Sequence, residues 1–485
     1  MEKNIITINR KLETFSKEFE INADIIVPDI KPDILSIINS NGNAYIYREE
    51  ILNNRIRIDG NIENYTVYLS DNGETRSIQS TLSFSESFES SKITENTFLK
   101  SRVILENIES KMLNERKISI NAKLKLIVNL YQKEEVEIGL NIDEQNLEGV
   151  QKLEETIETK NLIGSNKVKT SIKENIKAED GEEIAEILKT SITVNNIENK
   201  ISFNKVLSKA DGNIKILYIT ENGKIETINK TIPIMSFIDL EGVQENQECE
   251  VEYWIKNMLF KIDPSEKNTI NVQIDFEVSL EVYENKKIEI IQDIYGIKNN
   301  VNLKKKEILI PINNEINSEK INLSEKLLIE NILKIYDVDI CINKIKDSEC
   351  EAVLKICYEI DNRSGLNQKE FRIPFIIKNS PNNDYNFEIT REQFTVSGEN
   401  VDCDIGLLYK ENDSNYKNIN IIENIEIEES SNDEDYKIYM YIVKEGDTMW
   451  KIAKNFRINM DDLIKLNNLE NPDKINIGDR IFVMR

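Results

Sequence analysis

The amino-acid sequence predicts a mainly β fold: tandem antiparallel β-sandwich-like repeats followed by a small βααβ module. Three observations carry this. Apolar residues alternate with polar ones over long stretches, the same pattern returns further along the chain, and residues 441–485 change both period and charge.

Ile118, Ile120, Ala122, Leu124, Leu126, Val128 and Leu130 alternate with mostly polar residues, as do Ile270, Val272, Ile274, Phe276, Val278, Leu280 and Val282. Alternation of this length means a strand with one buried face. TVYLSDNGETRSIQSTLSF (66–84) lies over ILYITENGKIETINKTIPI (216–234), so that Tyr68 falls on Tyr218 and Asn72-Gly73 on Asn222-Gly223. Asn-Gly between two alternating runs predicts a hairpin with a type I′ turn, because both residues tolerate positive φ. Each repeat therefore reads as two packed antiparallel sheets.

A third, fainter copy follows. ECEAVLKICYEID (349–361) and KEFRIPFIIK (369–378) echo the central strands, Arg372-Ile373-Pro374 resembles Thr231-Ile232-Pro233, and VDCDIGLLYKEN (401–412) stands for the long terminal strand. The expected repeats are 1–145, 146–295 and 296–412, with short helical patterns such as Gly181 to Lys189 leading into them. Residues 411–436 hold nine acids against Lys417 alone. Self-repulsion there predicts an extended acidic linker over 413–436.

The net charge is −25, which argues against a nucleic-acid or lipid head-group partner. The chain has no histidine, which removes Ser-His-Asp and Cys-His catalysis and histidine-ligated zinc. With no GxxxxGK or GxGxxG loop and no C-x-x-C pair, no cofactor and no metal site is expected. A carboxylate-pair glycosidase cannot be located among 87 acids. Met1 to Glu20 lacks the apolar core of a secretory leader, and no apolar run is long enough to span a membrane. Cys249, Cys341, Cys350, Cys357 and Cys403 read as small buried hydrophobes of a reducing cytosol.

Residues 437–485 carry nine Lys/Arg against seven Asp/Glu, so this module is +2 on a body of −27. Tyr441 and Val443 form a strand, Asp447 or Thr448 can cap a first helix, and Trp450, Ala453 and Phe456 give that helix its apolar face. Asn459 is placed to cap a second helix carrying Leu463, and Ile481 and Val483 form the closing strand. These eight apolar residues are the expected core of a module too small to spare any of them.

Y-x-V-x-x-G-D-T-x-W-x-I-A followed by I-x-x-G-x-x-I-x-V resembles a LysM domain over its whole length, with Met449 where leucine is usual. The resemblance implies a βααβ fold that binds N-acetylglucosamine polymers in a shallow groove. Carried over, the groove comprises Gly446, Asp447, Thr448, Met449, Asn468, Leu469, Pro472 and Ile475. For Trp450 and Phe456, core packing is the expected role.

Upstream, IIVPDIKPDILSII (25–38) and the ILY…IPIMSFIDLEG pattern (216–242) resemble SPOCS domains. Three SPOCS-like repeats with a terminal LysM module resemble the spore-coat morphogenetic family of endospore-forming bacteria. That resemblance implies a non-enzymatic scaffold in the mother-cell cytoplasm, at the forespore surface. Its implied partners are a SpoIVA-like coat ATPase and other coat proteins. The alternative is a protein that binds peptidoglycan, or a chitin-like glycan, of the cell wall or spore cortex. A cytosolic LysM module has no evident access to that glycan, so a protein partner is the favoured expectation, reached through the acidic linker.

Overall fold

The computed structural model describes residues 4–138, 149–178, 181–311, 318–346, 348–360, 363–378, 385–411, 416–428, 437–469, 471 and 474–484. The first repeat contains β1 (Asn4–Ile26), β2 (Ile34–Leu52), β3 (Arg55–Ser70), β4 (Thr75–Glu89), β5 (Thr97–Asn114) and β6 (Lys117–Ile138). They pair antiparallel as two sheets, β1-β6-β5 and β2-β3-β4. The second repeat contains β7 (Val150–Lys177), β8 (Ile184–Ser202), β9 (Lys205–Thr220), β10 (Ile225–Asp239), β11 (Glu248–Ile262) and β12 (Thr269–Gly296). Its sheets, β7-β12-β11 and β8-β9-β10, follow the same connectivity. The alternating residues of 118–130 and 270–282 form the buried faces of β6 and β12. Facing sheets bury them in one core per repeat, each such side chain contributing about 1.5–3 kcal/mol.

After β13 (Asn300–Pro311) come β14 (Ser318–Leu328), β15 (Ile332–Lys346), β16 (Glu349–Ile360), β17 (Arg363–Ile376), β18 (Tyr385–Ser397), β19 (Asn400–Glu411) and β20 (Tyr416–Glu428). Strands β14-β19-β18 and β15-β16-β17 reproduce the two sheets a third time. Register shows the correspondence residue by residue. Ile62 faces Leu82, Gly212 faces Ile232 and Ala352 faces Ile373, each six residues before Tyr68, Tyr218 and Tyr358.

Three local expectations are corrected. Gly181 to Lys189 is not helical: β8 begins at Ile184. Register shifts at Ile184/Glu186 and Ile187/Lys189 change the phase of the strand, so its apolar residues at 184, 187 and 188 mimic helical spacing. The Asn72-Gly73 and Asn222-Gly223 hairpins exist, but only the glycines have positive φ, 85° and 80°. The bonds from Gly73 N to Ser70 O and from Ser70 N to Glu74 O define a type I turn closed by a glycine bulge, which leaves Asn72 unstrained.

The third correction concerns the acidic linker. Residues 416–428 form strand β20, paired antiparallel with β13. Ile419, Ile421 and Ile422 are buried while Glu423, Glu426 and Glu428 stay in solvent. Glu423 pairs with Lys304, so the acids occupy a solvated face instead of repelling one another into an open chain. The pair β13/β20 continues the third repeat as the outer halves of β7 and β12 continue the second, which carries that repeat past residue 412. The other linker residues, and the boundary at 145, lie outside the described residues.

Among the described residues, two apolar clusters join all three repeats. At one, Ile6, Ile8, Val136 and Ile138 pack with Ile157, Ile288, Ile290 and with Ile308, Ile310, Ile419 and Ile421, one ribbon from each repeat. At the other, Val67, Leu217 and Cys357 meet. Opposite these three stand Asn39, Lys189 and Asp337, the register-equivalent residues of β2, β8 and β15, each just after a bulge. Lys189 bonds the Asp337 and Asp339 carboxylates, and Asn39 donates to Cys357 Sγ at 3.3 Å. One position thus holds a neutral, a basic and an acidic residue in the three repeats, of which the basic and the acidic one pair directly.

Candidate functional site: the LysM groove and its docked face

The C-terminal module consists of β21 (Ile438–Ile442), α1 (Met449–Phe456), α2 (Met460–Leu466) and β22 (Arg480–Met484), with β21 and β22 antiparallel. Ile442 faces Arg480, so the loop leaving β21 and the loop entering β22 meet at one end of the strand pair. Val443 N to Asp479 O and Gly478 N to Val443 O, both 2.9 Å, join them.

Thr448 caps α1, its side chain accepting from Lys451 N at 3.2 Å. Asp447 instead braces the loop, accepting from Lys444 N and Tyr441 Oη, each at 2.8 Å. Those bonds, the backbone one first, hold its carboxyl below the ordinary carboxylate range. Gly446 turns the loop at φ 80°. Asn459 caps α2 by accepting from Asp461 N and Asp462 N. Asn467, which sequence reasoning missed, bonds Leu463 O and exchanges two bonds with the Phe482 backbone, pinning α2 to β22.

Of the expected groove residues, Gly446, Thr448 and Asn468 are exposed, and Asp447, Leu469 and Ile475 are half-buried. Met449 is 1% exposed and lies in the core. Pro472 lies outside the described residues. All eight expected core residues join one cluster: Tyr441 and Phe456 at its edge in a ring contact of 5.6 Å, and Val443, Trp450, Ala453, Leu463, Ile481 and Val483 buried.

That cluster also contains Tyr295 of β12. Trp450 Nε1 donates to Asp293 Oδ2 at 2.9 Å, and its ring meets Tyr295 edge-on at 4.8 Å between centroids. Lys454 Nζ reaches both Asp293 oxygens, Tyr295 Oη donates to Ile458 O at 2.6 Å, and Arg457 bonds Asn300. Residues 450 and 454 share one face of α1 and Arg457 follows as its left-handed C-cap, so the module sits by that face on the end of β12 and the start of β13 while Gly446, Thr448 and Asn468 remain in solvent. Burial disfavours charge on Asp293, but bonds from Lys454, Trp450 and Lys305 outweigh it and lower the carboxyl to about 2. No short-range pattern marks Asp293 and Tyr295 as a docking pair; distant chain segments assemble it.

Residues 33–113 and 183–263 match the family model of the SipL SPOCS domain, and residues 441–483 match the LysM domain. The chain carries two SPOCS domains and one LysM domain. Both kinds are non-catalytic binding modules, which points to a non-enzyme, and their combination is consistent with sporulation and the spore coat. The matched SPOCS segments cover β2–β5 and β8–β11 almost entirely, the strands between the two long outer strands of each repeat. No curated protein matches the chain. Among the described residues no helix is long and apolar enough to cross a membrane.

Proposed function

We propose that this SPOCS and LysM protein is a non-enzymatic scaffold of endospore coat assembly, acting at the forespore surface in the mother-cell cytoplasm. Its LysM groove docks a SpoIVA-like coat ATPase, and its repeats hold other coat proteins. The observation that supports this reading is the docked face of α1. With Trp450 and Lys454 committed to β12 of the second repeat and Arg457 to Asn300 at the start of β13, the groove loops are presented outward at a fixed angle. A rigidly presented groove loses less freedom on binding than one on a tether.

The test is co-purification from sporulating cells with the full chain and with Asn468→Glu, an exposed change at the groove. Loss of the ATPase with folding intact is expected; undiminished capture overturns the proposal. The LysM match also supports a glycan reading, in which the groove takes an N-acetylglucosamine polymer. Sedimentation of the full chain with purified peptidoglycan, abolished by the same variant, would favour it.

A further inference from the structure

Strand β21 reads Ile438-Tyr439-Met440-Tyr441-Ile442, the same in both directions. Among the described residues it pairs with β22 alone, in a two-stranded sheet. Register puts Tyr441, Ile481 and Val483 on the face that packs against the helices. Ile438, Met440, Ile442, Phe482 and Met484 share the opposite face with Arg480, and these five apolar residues are 41–66% exposed.

One edge of this sheet is closed and the other is open. Asn467 accepts from Phe482 N at 2.6 Å and donates to Phe482 O at 2.8 Å, so the backbone groups of Phe482 point away from β21. In an antiparallel pair the opposed residue then turns its own N–H and C=O the other way. That residue is Met440, and Ile438 and Ile442, two positions to either side, repeat its orientation. Three N–H and three C=O groups thus line the free edge of β21. Among the described residues none of the six has a hydrogen-bond partner.

Edge strands are ordinarily blunted by a charge, a proline or a bulge. β21 has none of these: its five residues are uncharged, and its register with β22 runs without a shift.

We infer that β21 pairs antiparallel with β21 of a second copy of this chain, across a twofold axis at Met440. Ile438 then meets Ile442, Tyr439 meets Tyr441 and Met440 meets Met440, like with like at each position because the strand is a palindrome. The sheet grows from two strands to four, the open backbone groups of each copy gain partners, and the two outward apolar faces join. Cross-strand pairs of this kind add about 0.2–1 kcal/mol each.

Charge selects the same surface. Residues 437–485 are +2 on a body of −27, so copies that met through their bodies would bring acid against acid, whereas β21 is neutral. Gly446, Thr448 and Asn468 lie outside β21, so the pairing presents two LysM grooves on one assembly and does not depend on what they bind.

The test is sedimentation of the full chain over a range of concentrations. A reversible dimer is expected. Met440→Lys, which sets two ammonium groups side by side at the axis, should weaken it by about tenfold or more. Met440 points away from the module's core, and circular dichroism establishes that the variant is folded. Treatment of Met440→Cys with a short bismaleimide, followed by peptide mapping, should join position 440 of the two copies. A chain that stays monomeric up to about 100 µM overturns the proposal, as does a dimer that Met440→Lys leaves unchanged or one whose cross-links join only the native cysteines.

Discussion

Lys189 of the second repeat and Asp337 of the third form an ion pair whose two side chains are 6% and 1% exposed, at the junction where the repeats meet. Burial penalises the charge on both. On Lys189 the Asp339 and Asp337 carboxylates outweigh that penalty and raise the ammonium pKa, and on Asp337 the Lys189 and Lys215 ammonium groups outweigh it and lower the carboxyl pKa. Removing either partner alone leaves the other's buried charge with only part of its pairing, Asp337 with Lys215 and Lys189 with Asp339.

Lys189→Met is therefore expected to destabilise the chain by about 3 kcal/mol, at the lower end of the usual range because Lys215 still reaches Asp337 at 3.0 Å. Lys189→Met with Asp337→Leu should regain most of that loss. Urea unfolding of the two variants checks it, and an additive double variant would show that the pair is not coupled.

Docking of the LysM module should weaken in acid. Asp293 has a folded pKa lowered to about 2 from an ordinary 3.8, so its contribution is present above the ordinary value and is lost as pH falls through about 2. After allowance for solvent screening this is on the order of 1–2 kcal/mol. The melting difference between the native chain and Asp293→Asn should be full near neutral pH and shrink through that window.

Strand β20 should be structural. Ile419→Ser with Ile421→Ser puts two hydroxyls among Ile308, Ile310 and the ends of the other two repeats. A loss of about 4 kcal/mol or more in chemical denaturation is expected, whereas a true linker would show no change.

Gly60 should not accept a methyl group. A Cβ there would lie 2.1 Å from the ring of Phe84, its cross-strand partner, and 2.6 Å from Tyr45 O. Gly60→Ala is expected to cost about 1–3 kcal/mol, measured as a lower melting temperature, while the register-equivalent Ala210 of the second repeat already carries that carbon.

Much of this was legible because its causes are local. Alternation in 118–130 and 270–282 reports a buried face directly, and the capping residues Thr448 and Asn459 bond backbone within three residues of themselves. Gly181 to Lys189 misled because two bulges altered its phase. Residues 416–428 misled because a charge count hid the alternating isoleucines. The caps and core of the LysM module were legible through its motif, whereas the partners of Trp450 were not, because Asp293 and Tyr295 belong to another repeat.

The sequence by itself determined the strand faces, the threefold repetition of the sandwich and the LysM module, since each depends on spacing along the chain. Only the tertiary structure decided that the third repeat runs on through β20, that Lys189 meets Asp337 and Asn39 meets Cys357 at one junction, and that the LysM module is seated by Trp450 on Asp293. Each joins residues distant in sequence, and burial of those polar groups is favourable only where the fold supplies the matching partner.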